Sequence, residues 1–172
     1  QRLRAVGSPL GLLSPLVTDR LGHLPSDALR PSDLDALLVT ERISGPLGAA
    51  VQASVFITLA THPGLRAEAD RLDAADAALD DTVDPHDPRV EELAAQHCAH
   101  HEALLHAIEA AGLDVAEEKL FETYDAEASG EEDPRMSAFE AVTKMPYGFS
   151  AARTRCMELT ARLLAGDLSA DS

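Results

Sequence analysis

The sequence predicts an all-α fold, and three observations carry that expectation. Hydrophobic residues make up 45% of the chain but aromatics only 3%, with no Trp, so the core has to be built from Leu, Ala, Val and Ile. Such material favours packed helices, whereas sheets draw on β-branched and aromatic side chains. Pro, Gly and capping residues cut the chain into segments of helical length. No run alternates apolar and polar residues as a half-buried strand would. At 172 residues the chain has the mass of one domain that buries a core without disulfides. The expectation is a single all-α domain over residues 1–172: a bundle of five to seven helices around a buried apolar helix at 46–61, with a frayed tail at 168–172.

Ser14-Pro15 opens a short helix that Gly22 closes. Ser32 with Asp35 three residues later resembles a capping box and starts a helix to about Glu41. Ser44-Gly45-Pro46 begins the next, which carries no charge from Leu47 to Ala60. A helix apolar on all sides has to be buried, and this one is too short to cross a bilayer. Its small residues Gly48, Ala49, Ala53 and Ser54 allow close approach by neighbours.

His62-Pro63-Gly64 breaks the chain, and a helix from Leu65 to about Asp81 follows, with a narrow seam of Leu65, Leu72 and Leu79. Asp87 as N-cap and Pro88 at the first helical position open a long helix that Gly112 ends. Asp114 with Glu117 caps a helix to about Ala128. Asp133-Pro134 starts one to about Lys144, and Ser150 caps the last, which Gly166 stops.

Charge limits the function classes. Residues 66–140 hold 22 Asp and Glu against 5 Lys and Arg, so the acidity of the whole chain (net −16) lies in its middle. A field of that sign repels phosphate backbones and anionic lipid, which argues against nucleic-acid and membrane binding. It suits a solvated surface, or a docking face for a basic protein partner or a second copy of the chain. Cys98 and Cys156 form no metal or redox pair in sequence. The first residues do not pattern as a secretion signal, and a cytoplasmic protein is expected.

The segment from His97 to His106 holds four of the seven histidines and one of the two cysteines. Its helix sorts them. At about 100° per residue, Leu93, Leu104 and Ile108 lie within about 40° of His97, with His101 about 40° to one side and His100 about 60° to the other. These three histidines therefore share the apolar face. His106 falls opposite, with Glu102 and Glu109. His97 and His101, one turn apart, have the spacing at which two imidazoles on one helix reach a common metal. The remaining ligands have to come from other elements, and His62, His86, Cys156 and nearby carboxylates are the available donors.

The familiar metal patterns are missing. No Glu-x-x-His occurs, as ferritin-like di-iron bundles require, no His-Glu-x-x-His, and no Cys-x-x-Cys-His. Asp80-Asp81-Thr82-Val83-Asp84 spells a diphosphate–magnesium string, but at a helix end rich in Asp by composition. The expected function is a soluble, acidic helical binding protein that holds a transition metal, a haem or a small apolar ligand. The expected pocket is lined by His97, His100 and His101, with Met145 and Phe149 at its wall. The competing expectations are an enzyme, using a metal or one histidine as general base, and an interaction module with an acidic docking face. Histidines hydrogen-bonded within a bundle, with no ligand, would give the same pattern.

Overall fold

In a computed structural model of the chain, residues 9–25, 27–127 and 149–166 are described. After a 3-10 turn at Pro9–Leu12, six α-helices follow among them: α1 (Pro15–Leu21), α2 (Pro31–Thr61), α3 (Pro63–Ala77), α4 (Pro88–Ala110), α5 (Leu113–Glu127) and α6 (Ala151–Leu164). The all-α fold with five to seven helices is the observed one. The helix expected at 134–144 lies outside the described residues.

The helix boundaries follow local chemistry. Helix α2 begins earlier than the Ser32 signal implied, because the Asp33 carboxylate accepts the Arg30 backbone N–H at 3.0 Å. An acid reaching back three residues to the cap position is half of a capping box. Helix α3 stops at Ala77, short of Asp81, because Asp80 turns its carboxylate onto the Thr82 N–H and hydroxyl at 2.9 and 2.5 Å. Local bonds of this kind compete with helical continuation. Asp87 caps α4 by accepting the Arg89 N–H at 3.0 Å, and Gly112 ends it at a φ of 66°. Ser150 caps α6 by accepting the Arg153 N–H at 3.1 Å.

Helix α2 is two helical segments joined across a kink at Gly45, where φ is 75° and ψ 177°. The residue before a proline is pushed out of the α region, and this combination of angles is open mainly to glycine. Helix α2 has the length of a membrane span and holds an 18-residue stretch whose mean hydropathy, 1.5, would suit one. The bend leaves residues 46–61 as the apolar half, about 24 Å at 1.5 Å per residue, against the roughly 30 Å of a bilayer core. A second glycine serves the bend: a Cβ on Gly48 would stand 2.6 Å from the Ser44 Cβ. Helix propensity alone predicts that Gly48→Ala gains about 1 kcal/mol. Forcing a carbon into that contact costs about 1–3 kcal/mol, so net destabilisation in urea unfolding is the expected result.

The helices gather into two compact units. One takes the described residues of 9–61 and 107–127. Its core joins Leu13, Val17 and Leu21 to Leu37, Ala49, Ala50 and Ala53, with Leu120 of α5 packed against them. The apolar half of α2 supplies the small residues that let α1 and α5 approach. The other unit takes residues 62–106 and 149–166. Leu72 and Leu79, Val90, Leu93 and Ala94, and Ala152, Cys156 and Leu159 form its core. Three helices, α3, α4 and α6, thus each contribute one stripe.

Candidate metal centre

The stripes of the second unit bring three different donor groups together. Asp76 lies in the last turn of α3, one turn beyond Leu72. His97 lies one turn beyond Leu93 on α4, and Cys156 sits between Ala152 and Leu159 on α6. The carboxylate, imidazole and thiol donor atoms all stand within 4.8 Å of one another. His97 Nε2 is 3.4 Å from Asp76 Oδ1, within ion-pair reach, yet neither atom makes a hydrogen bond and both are shielded from solvent.

The thiol is shielded as well, with Cys156 only 1% exposed. Burial pushes its pKa up to about 11, and the Asp76 charge adds to that, against opposing effects of Thr160 and Arg153. A thiol held neutral in this way is inert toward most electrophiles, since the thiolate is the nucleophile and the metal ligand. A divalent cation changes that balance, because coordination removes the thiol proton outright.

The sequence singled out His97 and Cys156, and the structure brings these two together. Asp76, the third donor, was hidden among many acids. Its signal was its position: at about 100° per residue it lies about 40° from Leu72, inside the leucine seam of α3. The other histidines lie elsewhere. His101 is exposed, although the wheel directs it inward. A wheel gives the direction of a side chain, not whether another helix stands opposite at that level. His62 is exposed at the N-cap of α3, and neither it nor His101 joins the cluster. His106 is exposed, as its wheel position required. Phe149 lies beneath the Arg153 guanidinium, 4.7 Å from ring centre to Cζ. Met145 lies outside the described residues. Asp80, Asp81 and Asp84 are exposed around the turn that follows α3.

His100 is half-buried, and its Nδ1 is shielded without a hydrogen-bond partner. Burial holds its pKa below the ordinary 6.5, opposed by Glu68 and Asp73 and reinforced by His97 and His101. Such a histidine takes up its proton more readily in the unfolded chain. The resulting stability loss is absent well above pH 6.5 and grows as pH falls through that value, until the lower folded-state pKa is passed. His100→Gln is expected to flatten the decline in urea midpoint between about pH 7 and 5. Equal slopes in the two proteins would refute this role for His100.

No protein family, curated protein or solved structure matches the chain.

Proposed function

We propose that the protein binds one divalent transition-metal ion of the zinc class through Asp76, His97 and Cys156. The observation that carries this reading is the convergence of three shielded donors of different chemistry within 4.8 Å, two of them without any hydrogen bond. Buried polar groups ordinarily have partners, and a cation would satisfy all three at once.

Geometry and charge favour the same class of ion. Ligand atoms about 2.0–2.1 Å from a tetrahedral zinc stand about 3.4 Å apart, and His97 Nε2 and Asp76 Oδ1 are separated by 3.4 Å. A sulfur at about 2.3 Å from the same ion would stand about 3.5 Å from each of the others, so the thiol has to close by little more than 1 Å at most. A carboxylate, a thiolate and a neutral imidazole carry two negative charges, which a divalent ion cancels. That matters in a low-dielectric core, where residual charge is costly. The mixture of one sulfur, one nitrogen and one oxygen donor suits a borderline-soft ion better than magnesium or calcium. An ion, rather than haem or a larger apolar molecule, fits a cluster this tight.

Stoichiometry and ligand variants test the reading. One equivalent of zinc is expected per chain, and cobalt in its place should show thiolate charge-transfer absorption. Disturbing a group behind a metal ligand commonly costs 10–100-fold in affinity. Removal of a ligand itself, in His97→Ala, Cys156→Ala or Asp76→Asn, is therefore expected to weaken binding by about 100-fold or more. His101→Ala and His62→Ala are expected to bind as wild type. Binding below a tenth of an equivalent, or variants that leave affinity unchanged, would overturn the assignment.

A further inference from the structure

The three candidate donors belong to three helices, and the last of those helices packs on a thin stripe with the thiol at its centre. Helix α6 has 14 residues, a length at which an isolated helix is marginal in water. Its buried residues are Ala152, Cys156 and Leu159, so one of its three core positions is the thiol and another is a single methyl. The Ser150 hydroxyl at its N-cap donates to the Leu79 carbonyl, fastening that end. Beyond it, Leu159 is the one large fully buried side chain that α6 contributes, with Leu163 half-buried against the same core. Helix α3 buries Leu72, and the turn after it adds Leu79, while α4 adds Val90, Leu93 and Ala94 to the same core.

Cys156 occupies the middle of the α6 stripe, opposite two polar atoms that have no hydrogen bonds of their own. A shielded polar group without a partner costs free energy, whereas the same group bound to a cation does not. The centre of the α6 contact is therefore polar where a larger protein would place leucine. Cys156 is also far along the chain from His97, so an ion that ties them closes a long loop.

On the reading of Asp76, His97 and Cys156 as metal ligands, we propose that the ion is a staple whose occupancy governs the docking of α6 onto α3 and α4. The role proposed is structural: donors from three helices surround one ion, with water completing the tetrahedron. Release of the ion lets residues 151–164 open locally while α3 and α4 keep their mutual packing. Metal availability is thereby converted into exposure of the α6 stripe.

Hydrogen exchange of the full chain, stripped with chelator and then titrated with zinc chloride, tests this. If opening of α6 requires release of the ion, exchange of its amides slows by a factor of one plus free zinc over Kd, about 100-fold at 100 times Kd. Residues 31–61 of α2 serve as the reference and are expected to change less than about threefold on the same scale. Cys156→Ser, and Asp76→Asn as the milder variant, should show fast α6 exchange that zinc does not slow. Zinc that binds through these ligands yet leaves α6 exchange unchanged would overturn the staple and spare the binding site. Equal slowing of α2 and α6 would overturn it too, as a global effect. Failure of zinc to bind would overturn the binding site itself, and the staple with it.

Discussion

Replacing Arg20 with methionine is expected to destabilise the protein by about 3 kcal/mol, more than any surface substitution in the chain should. Arg20 is a cation on α1 whose side chain is 8% exposed. Its Nη2 donates to the Ser54 hydroxyl at 2.6 Å, to the Leu113 carbonyl at 2.8 Å and to the Glu117 carboxylate at 3.5 Å, and its Nε reaches Ser54 at 3.2 Å. One planar guanidinium thus ties α1 to the middle of α2 and to the start of α5.

Truncation leaves a fully buried hydroxyl and a carboxylate without their shared donor, and orphaned groups cost more than the bond itself gained. Removing one partner of a buried ion pair costs about 3–5 kcal/mol. The low end applies because the Glu117 side chain remains 21% exposed. Arg20→Lys should recover little, since an ammonium is a point charge that cannot span the same fork of acceptors. Adding Glu117→Gln to Arg20→Met should recover part of the loss, because it removes the uncompensated charge. Urea unfolding followed by circular dichroism reads all three. A loss under about 0.5 kcal/mol, the ordinary range of surface changes, would show that water takes over the role of Arg20.

Arg20 also marks what sequence reasoning reaches and what it does not. The helix starts at Pro88 and Ala151 and the stops at Gly112 and Gly166 were legible, because a cap, a proline or a glycine acts on its own neighbours. The start at Pro31 and the stop at Ala77 were misjudged by a few residues, because Asp33 and Asp80 chose different backbone partners from those the spacing suggested. The network of Arg20 was invisible, since its acceptors come from two distant helices. In the candidate centre, the periodicity of α4 turned His97 inward, and Cys156 shares its buried face on α6 with Ala152 and Leu159. Asp76 escaped notice because acids on α3 were read by composition, and only its angle within the leucine seam distinguished it. His101 shows the converse: an inward angle without a covering neighbour leaves the side chain in water.

Leu72→Ala is the second substitution expected to act strongly, and it connects stability with the metal. Leu72 is 1% exposed and shares the core of α3, α4 and α6 with Cys156. Truncating a buried leucine costs about 2–5 kcal/mol, as lost transfer free energy plus the cavity left behind. Leu72→Met, nearly equal in volume, should cost less than about 1.5 kcal/mol. Asp76 follows Leu72 by one helical turn, so the cavity opens beside the proposed ligands, and some loss of zinc affinity should accompany the loss of stability. Zinc itself works in the other direction. An ion bound only by the folded unit of α3, α4 and α6 stabilises that unit by about 2.7 kcal/mol at 100 times Kd, enough to offset the low end of the Leu72→Ala cost. In urea titrations the variant should therefore regain much of its midpoint with zinc, provided the concentration is scaled to its own Kd. In Leu72→Ala combined with Cys156→Ala, the same zinc concentration should restore far less, because the ligand that joins α6 to the ion is gone and binding is about 100-fold weaker. Equal restoration in the double variant would mean that zinc acts through the acidic surface, and the shielded cluster would then have no part in it.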